Sequence, residues 1–171
     1  MKDAIERFAD HIVETNFSDI PDTAIHSAKT FILDTLGVGL AGSTGPYVEE
    51  LLNAYSSASP AELTSRVLGQ RARINSADAA LINGFQIHNS EFDCVHEEAV
   101  IHTMTVLLAV LLADADRRGK INGIELLKSA ILGVDVACNL GVACTSGLQF
   151  FRPATAGAFA GVAAVGSARG Y

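Results

Sequence analysis

The spacing of the apolar residues constrains the fold of this 171-residue chain more than any other feature. Apolar side chains recur every three or four positions through most of the sequence, which is typical of helices with one buried face. The predicted helices cover residues 3–15, 21–42, 46–52, 76–89, 103–114, 122–143 and 153–168, and residues 66–69 form a short extended piece. The sequence therefore predicts an all-α helical bundle over residues 1–171.

Several helix starts carry a local signal. Pro21 suits the first turn of a helix, where its missing N–H is not needed. Ser76 is a predicted N-cap, and Asn122 with Glu125 has the spacing of a capping box. In the last helix, glycines at 157 and 161 lie four residues apart, which predicts a smooth face that another helix approaches closely.

The composition predicts an aliphatic core and a subunit interface. Hydrophobic residues make up 49% of the chain but aromatics only 6%, and there is no Trp, so Ala, Leu, Ile and Val must fill the core. Charged residues are 18% and mean hydropathy is +0.30, which leaves little polar surface for a free monomer. We therefore expect a partner, most simply a homodimer.

Charge and hydropathy argue against two classes of partner. The net charge is −7, and basic residues cluster no further than the pair Arg117 and Arg118, so we expect no nucleic-acid binding. The longest apolar run, residues 106–113, is shorter than the ~20 residues of a membrane span. An odd number of cysteines without C-x-x-C spacing favours a reducing compartment, and we expect a cytoplasmic protein with no membrane partner.

The residues suited to chemistry are concentrated between positions 88 and 102, which hold three of the five histidines and four acids. His88 and Glu91 are one helical turn apart, as are Asp93 and His96, so each pair would share a face of a helix. The composition fits general acid–base catalysis, a metal site or a solvated charged loop. Standard metal motifs such as H-E-x-x-H are absent, and the residues alone leave the three readings open.

Seven short motifs, in order along the whole chain, resemble the N-terminal part of the MmgE/PrpD family. They lie at residues 31–37 (FILDTLG), 40–43 (LAGS), 67–69 (VLG), 79–84 (AALING), 88–96, 101–102 (IH) and 153–157 (PATAG). The resemblance implies part of a large helical domain, without the smaller α/β lid domain that such proteins carry, and usually a homodimer.

The resemblance also implies a type of reaction. The family includes 2-methylcitrate dehydratase, cis-aconitate decarboxylase and iminodisuccinate epimerase, which move a proton next to a carboxylate without a metal or organic cofactor. The implied activity is therefore that of a lyase or isomerase acting on a small di- or tricarboxylate, with no cofactor. The catalytic lysines of the family would lie beyond Tyr171, so this length of chain is expected to be inactive alone.

Carrying the family motifs over gives a mixed set of site residues. The pattern His-x-x-Asp-Phe-Asp-Asp-Thr falls on residues 88–95, where Glu91 and Asp93 keep two of the acids while Cys94 and Val95 replace an acid and a hydroxyl. Arg152 stands where the family commonly has a histidine. The implied catalytic residues are His102, Asp93 and Glu91, and the implied substrate-binding residues are His88, His96 and Arg152.

Two other hypotheses remain beside this one. The chain could be a catalytically inactive helical scaffold, a pseudoenzyme fragment that dimerises, since the lysines are missing and the apolar content is high. It could also be a metal-dependent hydrolase built on His88, His96 and His102.

Overall fold

The computed structural model describes residues 2–56, 64–71, 73–145, 147 and 151–171. These residues form α1 (Ala4–Glu14), α2 (Asp22–Gly42), α3 (Val48–Ser56), α4 (Ser76–His88), α5 (Thr103–Arg118), α6 (Gly123–Ala143) and α7 (Arg152–Arg169). A 3₁₀ turn lies at Phe17–Asp19, and two short strands, β1 (Ser65–Arg66) and β2 (Arg73–Ile74), pair antiparallel with Ser65 opposite Ile74. The predicted all-α fold is confirmed.

The helix starts follow the sequence signals with shifts of one residue. The capping box at α6 is confirmed, because the Asn122 side chain accepts from the Glu125 amide and the Glu125 carboxylate accepts from the Asn122 amide. The prediction for α4 is wrong by one position: Asn75 is the N-cap, and its Oδ1 accepts from the Asp78 amide. Pro21 likewise occupies the N-cap of α2 and not its first turn. Neighbouring residues with similar capping ability make such a shift small in energy.

Helix α5 is the centre of the bundle. Ten of its sixteen residues are buried, and it packs against α4 on one side and against α6 and α7 on the other. Leu107 and Leu111 of α5 pack in one cluster with small residues of α6 and α7, to which α7 contributes alanines. The fully buried large aliphatic side chains of these helices are Ile82, Ile87, Leu107, Leu108, Leu111 and Leu132. The core is aliphatic, as the composition predicts.

Glycines set how closely the helices approach. A Cβ placed on Gly157 would lie 2.9 Å from Cγ2 of Val106, so the glycine face of α7 does pack directly on α5. The approach of α2 to α4 is closer still, because a Cβ on Gly42 would lie 2.0 Å from the main-chain oxygen of Gln86. These contacts place the C-terminal ends of α2 and α4 side by side.

Helix α6 is long and apolar enough to cross a membrane by length and composition alone. It packs against α5 and α7, with Ala130, Leu132 and Ala137 buried in the core. Since a core helix of a bundle has the same length and composition, this is weak evidence for a membrane span.

We expect Gly42→Ala to lower the free energy of unfolding by about 1–3 kcal/mol, because the new methyl group would meet main chain that cannot rotate away. The matched control is Gly37→Ala on the same helix, where nothing lies within 4 Å of the new Cβ. That change should raise stability by up to ~1 kcal/mol through helix propensity. Urea unfolding of both variants checks this, and equal effects would contradict the close approach of α2 and α4.

Candidate active site

The loop between α4 and α5 carries the candidate residues, and its shape differs from the helical spacing expected from the sequence. Helix α4 ends at His88, and Glu91 has a left-handed backbone with φ +48°, so the predicted helical pairs His88/Glu91 and Asp93/His96 do not form on one helix. His96 instead forms an antiparallel bridge with Ile101, with its amide 2.9 Å from the Ile101 oxygen. This bridge turns the chain back so that His102 directly precedes α5.

Asp93 lies at the centre of the site. Its side chain is 0% exposed. Nδ1 of His88 lies 3.1 Å from Asp93 Oδ1 in hydrogen-bonding geometry, and the hydroxyl of Thr105 donates to Oδ2. Nδ1 of His102 lies 3.3 Å from Oδ2 but is not aligned for a hydrogen bond. We call His88, Asp93, His102 and Thr105 the Asp93 cluster.

The two histidine rings lie beside this carboxylate and contact each other edge to face. Their centroids are 4.8 Å apart at an interplanar angle of 64°, and the side chains of His88 and His102 are 28% and 24% exposed. A carboxylate that accepts from Nδ1–H fixes the neutral ring in the tautomer whose lone pair is on Nε2. The arrangement can therefore present Nε2 of His88 as a proton acceptor at a partly open site.

A cleft of about 560 Å³ opens beside the cluster. One end is polar and the remainder is apolar, formed by α4 and α5. The lining residues are Ala80, Leu81, Gly84, Phe85, His88, Asn89, Glu91, Thr105, Val106, Ala109 and Val110. The cleft is large enough for a small organic acid, with its polar end at His88.

The remaining predicted site residues lie around this centre. Glu91 is exposed and borders the cleft. His96 is exposed, and its Nδ1 accepts from the Ala99 amide at 3.1 Å, within the loop. Arg152 donates to the main-chain oxygens of Gly141 (3.4 Å) and Cys144 (3.2 Å), so its guanidinium ties the start of α7 to the end of α6. The structure brings together His88, Asp93 and His102, and the roles assigned to these three, and to Glu91, His96 and Arg152, stay predictions.

Sequence reasoning misses two residues of this region, Thr105 within the Asp93 cluster and Phe151 beside it. Thr105 reaches Asp93 from the first turn of α5, and the ring of Phe151 lies 6.1 Å from that of His88. Thr105 lies in an apolar helical run and resembles an ordinary core residue there. Its contact depends on the return of the loop, for which the sequence between 93 and 105 has no local signal.

Comparison with known proteins decides the family. The sequence matches the MmgE/PrpD N-terminal domain over residues 6–171. The chain belongs to the MmgE/PrpD family. Its match extends over the whole helical bundle, including the Asp93 cluster.

Similar MmgE/PrpD proteins include several cis-aconitate decarboxylases. The human cis-aconitate decarboxylase is 34% identical over 140 residues, which is 80% of this chain and 29% of the human protein. A cis-aconitate decarboxylase-like protein of Aspergillus oryzae is 31% identical over 138 residues, 77% of this chain and 28% of that protein. The cis-aconitate decarboxylase of Aspergillus terreus is 30% identical over 129 residues, 73% and 26% of the two chains. The chain thus spans less than a third of the length of these relatives.

Cys94 follows Asp93 in this MmgE/PrpD chain and is half-buried. Burial raises the pKa of its thiol, and the charges of Asp93 and Asp34 raise that pKa further, while a hydrogen bond from the Met104 amide lowers it. The thiol is therefore mostly protonated at neutral pH, which favours a packing role over a nucleophilic one.

We expect Cys94 to react slowly with iodoacetamide at neutral pH, because a raised thiol pKa leaves little thiolate. The exposed Cys144 should be alkylated first. The alkylation rate of Cys94 should rise only when the pH exceeds the pKa of an ordinary thiol. Peptide mapping by mass spectrometry measures both rates, with Cys94→Ser confirming the assignment. Alkylation of Cys94 as fast as Cys144 would show that the thiol is activated.

Proposed function

We propose that this chain supplies the acid–base part of the active site of a cofactor-independent lyase or isomerase that moves a proton next to a carboxylate. The observation that carries the proposal is the buried Asp93 carboxylate with the Nδ1 atoms of two imidazoles within 3.3 Å, one of them on His88, which lines the cleft. General acid–base catalysis needs a titratable group with a fixed tautomer at a site that substrate can reach, and the Asp93 cluster has these features.

In the proposed mechanism, His102 takes the proton from the carbon next to the substrate carboxylate through Nε2. Asp93 stabilises the imidazolium that forms, as a buried carboxylate does in catalytic triads. His88 has an equal geometric claim to this step, since its Nδ1 makes the better hydrogen bond to Asp93. Glu91 at the cleft would orient the substrate, and the guanidinium of Arg152 would bind a carboxylate.

The substrate class is proposed from the relatives and the site together. The relatives named above are cis-aconitate decarboxylases or are named as similar to them, and cis-aconitate is a small tricarboxylate. We therefore propose a small di- or tricarboxylate as substrate. Dehydration, decarboxylation and epimerisation all begin or end with proton transfer of this kind, so the proposal includes all three reaction types.

The test uses the natural full-length protein in D₂O. NMR of the substrate measures the rate at which its proton is exchanged for deuterium. We expect His102→Gln to lower the exchange rate by about 100-fold or more, since a positioned base contributes about 10²–10⁴-fold. His26→Gln is the matched control, because His26 is exposed on α2, away from the Asp93 cluster, and should leave the rate unchanged.

The variant His88→Gln decides between the two histidines. If His88→Gln lowered the exchange rate and His102→Gln did not, the base would be His88. If neither substitution changed the rate, the proposed function would be wrong, and the inactive helical scaffold would be favoured in its place.

A second candidate, a metal-dependent hydrolase, is favoured by one observation. His88, Asp93 and His102 each offer a ligand atom, and these atoms lie within 4.8 Å of one another. Two imidazoles and a carboxylate suit Zn²⁺ and other first-row metals. Asp93 thus takes the place that the sequence hypothesis gave to His96.

Elemental analysis of the purified protein separates the two functions. The proton-transfer proposal expects no stoichiometric metal, and activity that survives dialysis against a chelator. A stoichiometric metal that is lost in Asp93→Asn, but kept in the exposed-site control His26→Gln, would establish the second candidate instead.

We further propose that the protein forms a homodimer and is located in the cytoplasm. Support for self-association comes from apolar side chains that are largely exposed on α1 and α7, among them Ile5, Phe159 and Val162. Such apolar surface is typical of interaction sites.

A further inference from the structure

We propose that Thr105 is a positioning residue that holds the Asp93 carboxylate in the orientation that serves both histidines. Its effect on the position of Asp93 follows from the geometry, whereas its effect on catalysis rests on the proposed function. Thr105 lies on α5, twelve residues from Asp93 in sequence.

The Asp93 carboxylate needs an external support. Asp93 lies in an irregular part of the loop between α4 and α5, so no helix fixes its side chain. A fully buried carboxylate must have its lone pairs satisfied, since an unpaired buried charge is costly. Within the described residues, the groups that hydrogen-bond to this carboxylate are His88 Nδ1 and the Thr105 hydroxyl.

Thr105 is well suited to hold the carboxylate. It is buried in the first turn of α5, the central helix, and its β-branched side chain has few χ1 rotamers. A helical threonine often donates to the main-chain oxygen four residues earlier, which here is that of Ile101. That oxygen instead accepts from the His96 amide at 2.9 Å, and the Thr105 hydroxyl is directed to Asp93.

The hydroxyl holds one of the two carboxylate oxygens. It donates to Oδ2, while His88 Nδ1 lies 3.1 Å from Oδ1 and 3.3 Å from Oδ2. Oδ2 also lies 3.3 Å from His102 Nδ1, so the hydroxyl holds this oxygen close to both imidazoles. Without the hydroxyl, the carboxylate is free to rotate, and the tautomer of His88 is no longer fixed with its lone pair on Nε2.

The experiment compares Thr105→Val, which keeps the shape and removes the hydroxyl, with Thr105→Ser, which keeps the hydroxyl. Long-range ¹H–¹⁵N NMR of this chain, recorded with a chelator present, reports the tautomer of each imidazole. We expect wild type and Thr105→Ser to show His88 protonated at Nδ1, and Thr105→Val to show a mixture of tautomers. The exposed His26 is the internal reference and should not change. An unchanged His88 signal in folded Thr105→Val overturns the proposal.

A second pair of variants covers a failure to fold. If Thr105→Val does not give a native NMR spectrum, Thr105→Ala is compared with Thr105→Ser, since these two also differ by the hydroxyl. The same tautomer shift in Thr105→Ala, absent from Thr105→Ser, supports the proposal, and its absence from both overturns it.

Activity assays on the natural full-length protein distinguish failure of the positioning proposal from failure of the proposed function. We expect Thr105→Val to lower kcat about tenfold or more with little change in KM, and Thr105→Ser to restore most of it. A changed tautomer with an unchanged kcat would support the positioning and contradict the proposed function. A lower kcat with an unchanged tautomer would contradict the positioning.

Discussion

The buried charge of Asp93 is the interaction on which the candidate site depends. Its carboxylate is shielded from water where the end of α4 meets the start of α5, and it is held by His88 from one helix and Thr105 from the other. Burial of a carboxylate is tolerated only when donors surround it. One of these donors, His88, is also a candidate base, which links the stability of the loop to the chemistry proposed for it.

A rigid α5 is the second requirement. Its far end is held to α7 by Asp114, a buried carboxylate that pairs with Arg118 at 2.8 Å and with Arg169. Aliphatic side chains and closely packed small residues fix the rest of the helix between α4, α6 and α7. A helix held along its length presents His102 and Thr105 at a defined position, which is what a preorganised site needs.

Local signals in the sequence predicted most of the fold. The capping box at Asn122 and the apolar spacing of each helix are short-range features, and the structure confirms the helices that they indicate. Errors of one residue, as at Ser76, arise where adjacent side chains can both cap a helix. The structure brings three residues of the predicted segment together, but the predicted pairing within that segment was wrong, because helical spacing was applied to a loop that turns back on itself.

The sequence by itself determined the helical architecture, the aliphatic core and the segment that carries the histidines, since each follows from composition or from spacing along the chain. Only the tertiary structure decided that Asp93 pairs with His88 and lies close to His102, and that Thr105 donates to it. The physical reason is that these contacts join the ends of two helices through an irregular loop. Their geometry is set by burial of the carboxylate and by the close packing of α4 on α5, and neither leaves a periodic pattern in the sequence.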